Sequence, residues 1–423
     1  MHSERMEMST YLDLNKELTP EQVSLKEETH RFAEEVLRPA SIELDRMADP
    51  ADVIKKDSVL WDVFRKAYGL GHHIRGFPEE LGGAGLSPIE SHIVGEEMGW
   101  GSAGFSIGLG VAAFPFAMTA TFAGLTGNQE LMKELVIPYV EDKEAKYVGC
   151  WAITEPQRGS DAVFIGTEQG QQMGLSYDLT AKRDGDSWVI NGQKSAWVSD
   201  GTIATHALAF LAVESPDGTR GTGVCVVPMD LAGVSKGPPL DKLGQRDLNQ
   251  GEIFFDDVRI PKDYMLIEPE AYPMIGEAVI SGANAGMSTT FTGVARAAFE
   301  EALAYCKQRV QGGKLICEHQ AVQLKLFDMF TKVEAARALS RAASIYNSTT
   351  IPPMAYYSIA AKVFATNAAF SVANDAMQLF GGYGLCKDML VEKLFRDARA
   401  SMIEDGCNTV LSLAGADRLI KVY

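Results

Sequence analysis

The densest run of chemically capable residues is Trp151-Ala152-Ile153-Thr154-Glu155-Pro156-Gln157-Arg158-Gly159-Ser160-Asp161-Ala162. It opens on small and apolar residues, which can stand beside a planar ring. Pro156 then ends strand pairing and pushes Glu155 into extended backbone. The run closes on Gly159-Ser160-Asp161, where bare backbone, a hydroxyl and a carboxylate lie together. Glycine lets the main chain approach a ligand, and exposed N–H groups in such a turn hold anions. An ordinary proline turn between two strands has the same composition, so the rest of the chain must decide. Two other spacings imitate motifs. Gly108-Leu109-Gly110-Val111-Ala112-Ala113 matches G-x-G-x-x-A, but no clear strand precedes it and no βαβ unit surrounds it. Gly233-Val234-Ser235-Lys236-Gly237 matches G-x-S-x-G, but Pro238-Pro239 forbid the helix that a nucleophile elbow requires.

Composition narrows the classes. The chain has 423 residues, enough for two to four domains, and 46% of them are apolar, enough for a large core. A net charge of −17 argues against a nucleic-acid reader, which would normally show a basic face. The six cysteines form no C-x-x-C pair, and the N-terminus shows no secretion signal, so reduced thiols in a cytoplasmic protein are expected. The seven histidines are scattered, and His72-His73 are adjacent, so no metal site is expected.

These residues must be positioned by elements of three kinds. The first dozen residues read as a loose arm. Thr19 is an N-cap, Pro20 sits at the first helical position and Gln22 completes a capping box. A second helix is expected from Val59 to Ala67, before a glycine-proline loop from Gly76 to Ser87. Met98 to Gln129 holds no charged residue, long enough for a membrane span. Its seven glycines, Pro115 and several hydroxyl residues, with no basic cluster flanking it, predict two helices in a soluble core instead. From Tyr147 the pattern changes to short β-branched and aromatic runs divided by turn residues, a β domain over 149–270. From Tyr272 long amphipathic segments return, and the segment beginning Ala355-Tyr356-Tyr357 is apolar on most faces, as in a buried bundle helix. The expected architecture is α+β: an N-terminal helical domain (1–148), a middle β domain (149–270) and a C-terminal four-helix bundle (271–423).

The Thr154–Asp161 stretch resembles the T-E-P-x-x-G-S-D signature of the flavin-dependent acyl-CoA dehydrogenases, and the α, β, α order over nearly the whole chain resembles that family's three domains. The resemblance implies FAD as cofactor, with the middle domain of barrel-like form and the C-terminal bundle holding the flavin ring between them. It implies that the helix pair near 98–129 walls the acyl pocket. Trp151, Ile153 and Thr154 would lie against the isoalloxazine, with the Thr154 hydroxyl near flavin N5. Ser160 would stand near the phosphate-bearing ligands of cofactor and substrate. A second segment, Asn191-Gly192-Gln193-Lys194 and onward, resembles N-G-x-K-x-W-I-T-N-G; placing Trp197 and Ser199 at the flavin requires one inserted residue, a β-bulge.

Lys242-Leu243-Gly244-Gln245-Arg246 resembles K-x-G-x-R and implies an acyl-CoA contact for Arg246, although Asp247-Leu248-Asn249-Gln250 departs from the usual Ser and Thr or His. Asp256-Asp257-Val258-Arg259-Ile260-Pro261 resembles a structural segment. Arg309 would pair with the FAD pyrophosphate of a neighbouring subunit, with Gln311 and Gln320 beside the cofactor. Gln378, Gly381, Gly382 and Gly384 would offer the adenosine diphosphate their backbone.

The implied chemistry removes a proton α to a thioester carbonyl and passes the β hydrogen to the flavin as hydride. A carboxylate in a water-poor pocket suits the proton step. The gapless count from Arg396-Asp397-Ala398 puts Asp405 at the base position, and a one-residue slip puts Glu404 there. The alternative site on the earlier helix falls at Ala283-Asn284, which carries no acid. The expected protein is an acyl-CoA dehydrogenase, a homotetramer that hands electrons to an electron-transfer flavoprotein. Its acyl group would be short, branched or alicyclic. The rivals are an acyl-CoA oxidase and a non-catalytic acyl-CoA- or flavin-binding relative.

Overall fold

The computed structural model describes Leu14 and residues 18–422. The arm expected over the first dozen residues lies outside them. Helix α1 (Pro20–Phe32) starts as its capping box predicts. Gln22 N–H donates to Thr19 Oγ1 at 3.3 Å, and Thr19 N–H donates to Gln22 Oε1 at 3.1 Å. Helix α2 (Val59–Gly69) follows a Ser58 cap, and α3 (Pro88–Gly101) follows a second capping box, Ser87 with Glu90. The uncharged stretch divides into α4 (Ala103–Val111) and α5 (Phe114–Thr126), with a break at Ala112-Ala113. Together they are long and apolar enough to cross a membrane by composition, yet half of that window is buried inside the protein. Phe105, Leu109 and Phe116 belong to the largest core cluster.

The middle domain has strands β1 (Gly149–Ala152), β2 (Thr180–Asp184), β3 (Ser187–Ser199), β4 (His206–Glu214), β5 (Arg220–Pro228), β6 (Val234–Lys236), β7 (Gln250–Pro261) and β8 (Met265–Ile267). They pair in the order β6-β7-β3-β2-β4-β5-β8, and β1 joins β4 in parallel. Strand β4 is apolar on both faces because both are covered. Ala207, Ala209 and Leu211 enter one cluster, while Leu208, Phe210 and Ala212 enter another, the alternation a strand imposes.

The C-terminal part holds three long helices, α6 (Tyr272–Cys306), α7 (Gln320–Ser348) and α8 (Ala355–Phe380). Two shorter ones follow, α9 (Leu390–Ser401) and α10 (Asn408–Val422), so the expected bundle of four long helices gains a fifth element. The reason is the turn between Ser401 and Asn408, which cuts the last helical segment in two. Helix α6 packs on α3, α7 and α8. Where it crosses α3 the backbones touch: a Cβ on Gly293 would lie 2.1 Å from Glu96 O and 2.6 Å from Trp100 N. That close approach of α6 to α3 requires glycine at position 293.

Candidate active site

A cavity of about 590 Å³ opens where α4, the β domain, α6 and the turn after α9 meet. Trp151, Ile153, Thr154, Ser160, Trp197, Ser199, Glu404 and Asp405, all expected from the sequence to serve one site, line it together. Ile107 and Val111 of α4 contribute apolar wall, as do Val279, Ile280 and Ala283 of α6. Of the expected helix pair, α4 reaches the cavity and α5 does not.

The Thr154 side is held by a buried ion pair. Lys194 Nζ donates to Glu155 Oε1 at 2.7 Å and to Ile153 O at 2.9 Å. Glu155 also accepts the N–H groups of Asp178 and Leu179 at 2.6 and 3.0 Å, and Ser195 N–H donates to Thr154 O at 2.8 Å. Glu155 is therefore a structural clasp, and burial lowers Lys194 to about 8. Strand β3 is irregular in this segment. Lys194 pairs with Ile253 and Val198 with Gly251, so a step of four residues faces a step of two. The excess is two residues where one was expected, and Trp197 and Ser199 within and beside it line the cavity.

The acids sit on the turn after α9. Asp405 and Gly406 have φ of 50° and 90°, left-handed backbone that reverses the chain and that Asp and Gly tolerate best. The turn is clamped on both sides. Lys362 of α8, itself fully buried, donates to Gly406 O and Asn408 Oδ1, each at 2.9 Å. Ser160 Oγ accepts the Cys407 N–H at 2.9 Å. The two carboxylates differ in their company. Glu404 Oε2 accepts from Gln245 Nε2 at 2.9 Å, whereas Asp405 has no hydrogen bond or ion pair among the described residues, and Lys362 is the charge that bears on it. Burial pushes Glu404 up to about 7 and Asp405 up to about 6. The Gln245 bond and Lys242 oppose the first rise, and Lys362 opposes the second.

The 241–250 loop forms the rim. A Cβ on Gly244 would lie 2.6 Å from the Arg396 carbonyl, so the loop presses on α9. There Gln245 N–H donates to Asp397 Oδ1 at 2.5 Å. Asp247 binds Ser102 and faces Lys393 at 3.8 Å. The departure from the family pattern thus serves packing: Asp247 and Asn249 bind inward, while Leu248 and Gln250 line the cavity. Arg246 is not brought to the cavity wall. It pairs with Asp241 and donates to Met47 O at 2.8 Å.

Of the remaining expected residues, Gly384 is buried, where a Cβ would lie 2.5 Å from Met377 O, and the others form a second, exposed group. Arg309, Gln311 and Gln320 follow α6, and Gln378, Gly381 and Gly382 end α8. Tyr305 stacks on Phe380 with centroids 4.1 Å apart, which sets both groups at one end of the bundle. A Cβ on Gly381 or Gly382 would meet nothing within 4 Å, an open backbone surface. Neither group lines the cavity.

The sequence reading missed Lys242, Gln245, Gln250 and Lys362 as site residues. Lys242 and Gln245 lay inside a recognised motif and could have been marked. Nothing in the local pattern marked Gln250 or Lys362, which depend on strand register and helix packing. Among the described residues no cluster of metal-competent side chains occurs.

The three-part α/β/α body thus brings two acids and the hydroxyls of Thr154, Ser160 and Ser199 to one crevice. Models of the acyl-CoA dehydrogenase N-terminal, middle and C-terminal domains match residues 19–141, 150–258 and 282–420. The chain belongs to the acyl-CoA dehydrogenase family, whose members are oxidoreductases and flavoproteins. It is 31% identical to the mitochondrial short-chain specific acyl-CoA dehydrogenase of Bos taurus over 94% of this chain and 90% of that one. Among solved structures, butyryl-CoA dehydrogenase of Megasphaera elsdenii superposes with a TM-score of 0.81 at 26% identity, covering 97% of this chain and all of the other. A chain from a study of the electron transferring flavoprotein of Acidaminococcus fermentans and flavin-based electron bifurcation reaches 0.82 at 28% identity, covering 97% and 100%.

Proposed function

We propose that the protein binds FAD and oxidises an acyl-CoA thioester to its 2,3-enoyl form, with Asp405 as the base. One observation carries this: both carboxylates of a strained, doubly clamped turn share a cavity with Thr154, Trp197 and Ser199. The donor set suits a flavin. The hydroxyls of Thr154 and Ser199 match a polar ring edge, and the walls from Trp151, Ile153 and Ile107 match its apolar body. Bound there, the flavin would supply a hydride acceptor.

The chain's own residues do the rest. Asp405, with a pKa near 6, is ionised at neutral pH and carries no competing hydrogen bond, so it is free to take the α proton. Glu404, engaged by Gln245, stays in place beside it. The mostly apolar walls strengthen the charges that bear on both acids.

The exposed Arg309 and Gly381–Gly382 group suits the adenosine diphosphate half, with the guanidinium on the pyrophosphate. It lies apart from the cavity in one chain, which supports a neighbouring subunit completing each site, in a homotetramer. The names of the relatives support a short acyl group, and the third likeness supports an electron-transfer flavoprotein as acceptor. The test is an anaerobic titration of the yellow protein with straight, branched and cyclic acyl-CoAs. Bleaching of the flavin band is expected with at least one short acyl-CoA; none across the panel overturns the reading.

A further inference from the structure

Ser199 ends β3, and the register of the sheet puts Gln250, first residue of β7, directly opposite. Gln250 is buried, and both ends of its amide are engaged. Lys242 Nζ lies 2.9 Å from Gln250 Oε1. An ammonium has donors and no acceptor, so this contact settles which end of the amide is oxygen. The Nε2 group therefore faces Ser199 Oγ at 3.0 Å and Trp197 O at 3.5 Å. An amide NH₂ can only donate, so Ser199 Oγ accepts here and its own proton must find another partner. No acceptor for that proton occurs among the described residues, and Ser199 lines the cavity.

We infer that Lys242 and Gln250 are positioning residues: they set the polarity of Ser199, so that its hydroxyl enters the cavity as a hydrogen-bond donor to an acceptor atom on the flavin edge. Lys242 is itself anchored by donating to Leu248 O at 2.6 Å, which keeps the relay in register. The inference rests on the proposed flavin site and adds the residues that orient it. It also gives the departure at Gln250 a purpose, since a shorter side chain there could not span Lys242 and Ser199 together.

The test compares wild type with Q250L, Q250E, S199A and the S199A/Q250L pair. The readouts are the FAD dissociation constant of the apoprotein and the visible absorption maximum of the loaded one. Q250E keeps an oxygen for Lys242 but can only accept, so Ser199 turns to it and the cavity loses its donor. Each single variant is expected to weaken FAD binding about three- to tenfold, the worth of one hydrogen bond, and to move the absorption maximum. The pair is expected to bind no worse than S199A alone. Wild-type affinity and spectrum in Q250E, or additive losses in the pair, overturn the relay. Should Q250L lose the fold, Q250E against S199A decides: equal weakening supports the relay, and a wild-type Q250E overturns it. A wild-type protein that takes up no flavin overturns the functional reading itself, and the relay with it.

Discussion

Asp405 and Glu404 are chemically near-identical neighbours that their surroundings separate. Gln245 occupies an oxygen of Glu404, while Asp405 keeps both of its own. Replacing Asp405 by Asn should lower kcat about 10²- to 10⁴-fold with flavin binding intact, the range a general base contributes. Glu404→Gln should cost less; equal losses in steady-state assays would remove the distinction. In wild type, kcat/KM should rise with pH through about 6, where Asp405 ionises. Lys362→Met removes the opposing charge and should move that limb to higher pH, while Lys362→Arg restores it in part.

Stability runs the other way. The folded pKa of Asp405 lies above its ordinary 3.8, so folding favours the protonated acid. Its contribution is present below about pH 4 and is lost as pH climbs through 6. Asp405→Asn should therefore melt above wild type at pH 7.5, with the gap closing toward pH 4 in calorimetry. A stable but inactive variant fits a turn that trades stability for chemistry.

At the scale of elements, the site depends on how closely three backbones approach. Gly293 lets α6 meet α3, and Gly244 lets the 241–250 loop meet α9. A methyl at either position has backbone within 2.6 Å and no flexible side chain to displace. Gly293→Ala should destabilise by about 1–3 kcal/mol, the usual cost of overpacking. Gly244→Ala should do so too, and should also lift Gln245 from Asp397 and Glu404. Freed of that bond, Glu404 should ionise at higher pH, so the pH profile should change where that of Gly293→Ala does not. A melting curve paired with a pH profile separates the two.

For the whole molecule, the exposed group at the end of the bundle and the cavity divide the proposed FAD site between subunits. Dilution that dissociates the assembly should release flavin, seen as rising flavin fluorescence alongside falling mass in sedimentation. Arg309→Ala should weaken FAD binding about 10- to 100-fold, as for a charge-assisted bond to phosphate. Its Asp405 pH limb should be unchanged, because Arg309 lies outside the cavity.

Local chemistry was legible in the residues themselves. Thr19 with Gln22 marked a helix start, the alternating runs after Tyr147 marked strands, and Thr154–Asp161 marked a ligand-competent turn, whereas Ser199 and the Glu404-Asp405 pair were reached only through the family resemblance. The first three features are set by neighbours within a few positions, so a linear string carries them. Gln250 opposite Ser199, Lys362 under Gly406 and Gln245 on Glu404 join residues 51, 44 and 159 positions apart. The inward turn of Arg246 toward Met47 joins residues 199 apart. Register, helix crossing and burial decide those contacts, and the Gln245 contact decides which acid carries a free carboxylate. Those are properties of the folded body, because only the packed chain removes water and brings remote side chains within bonding distance.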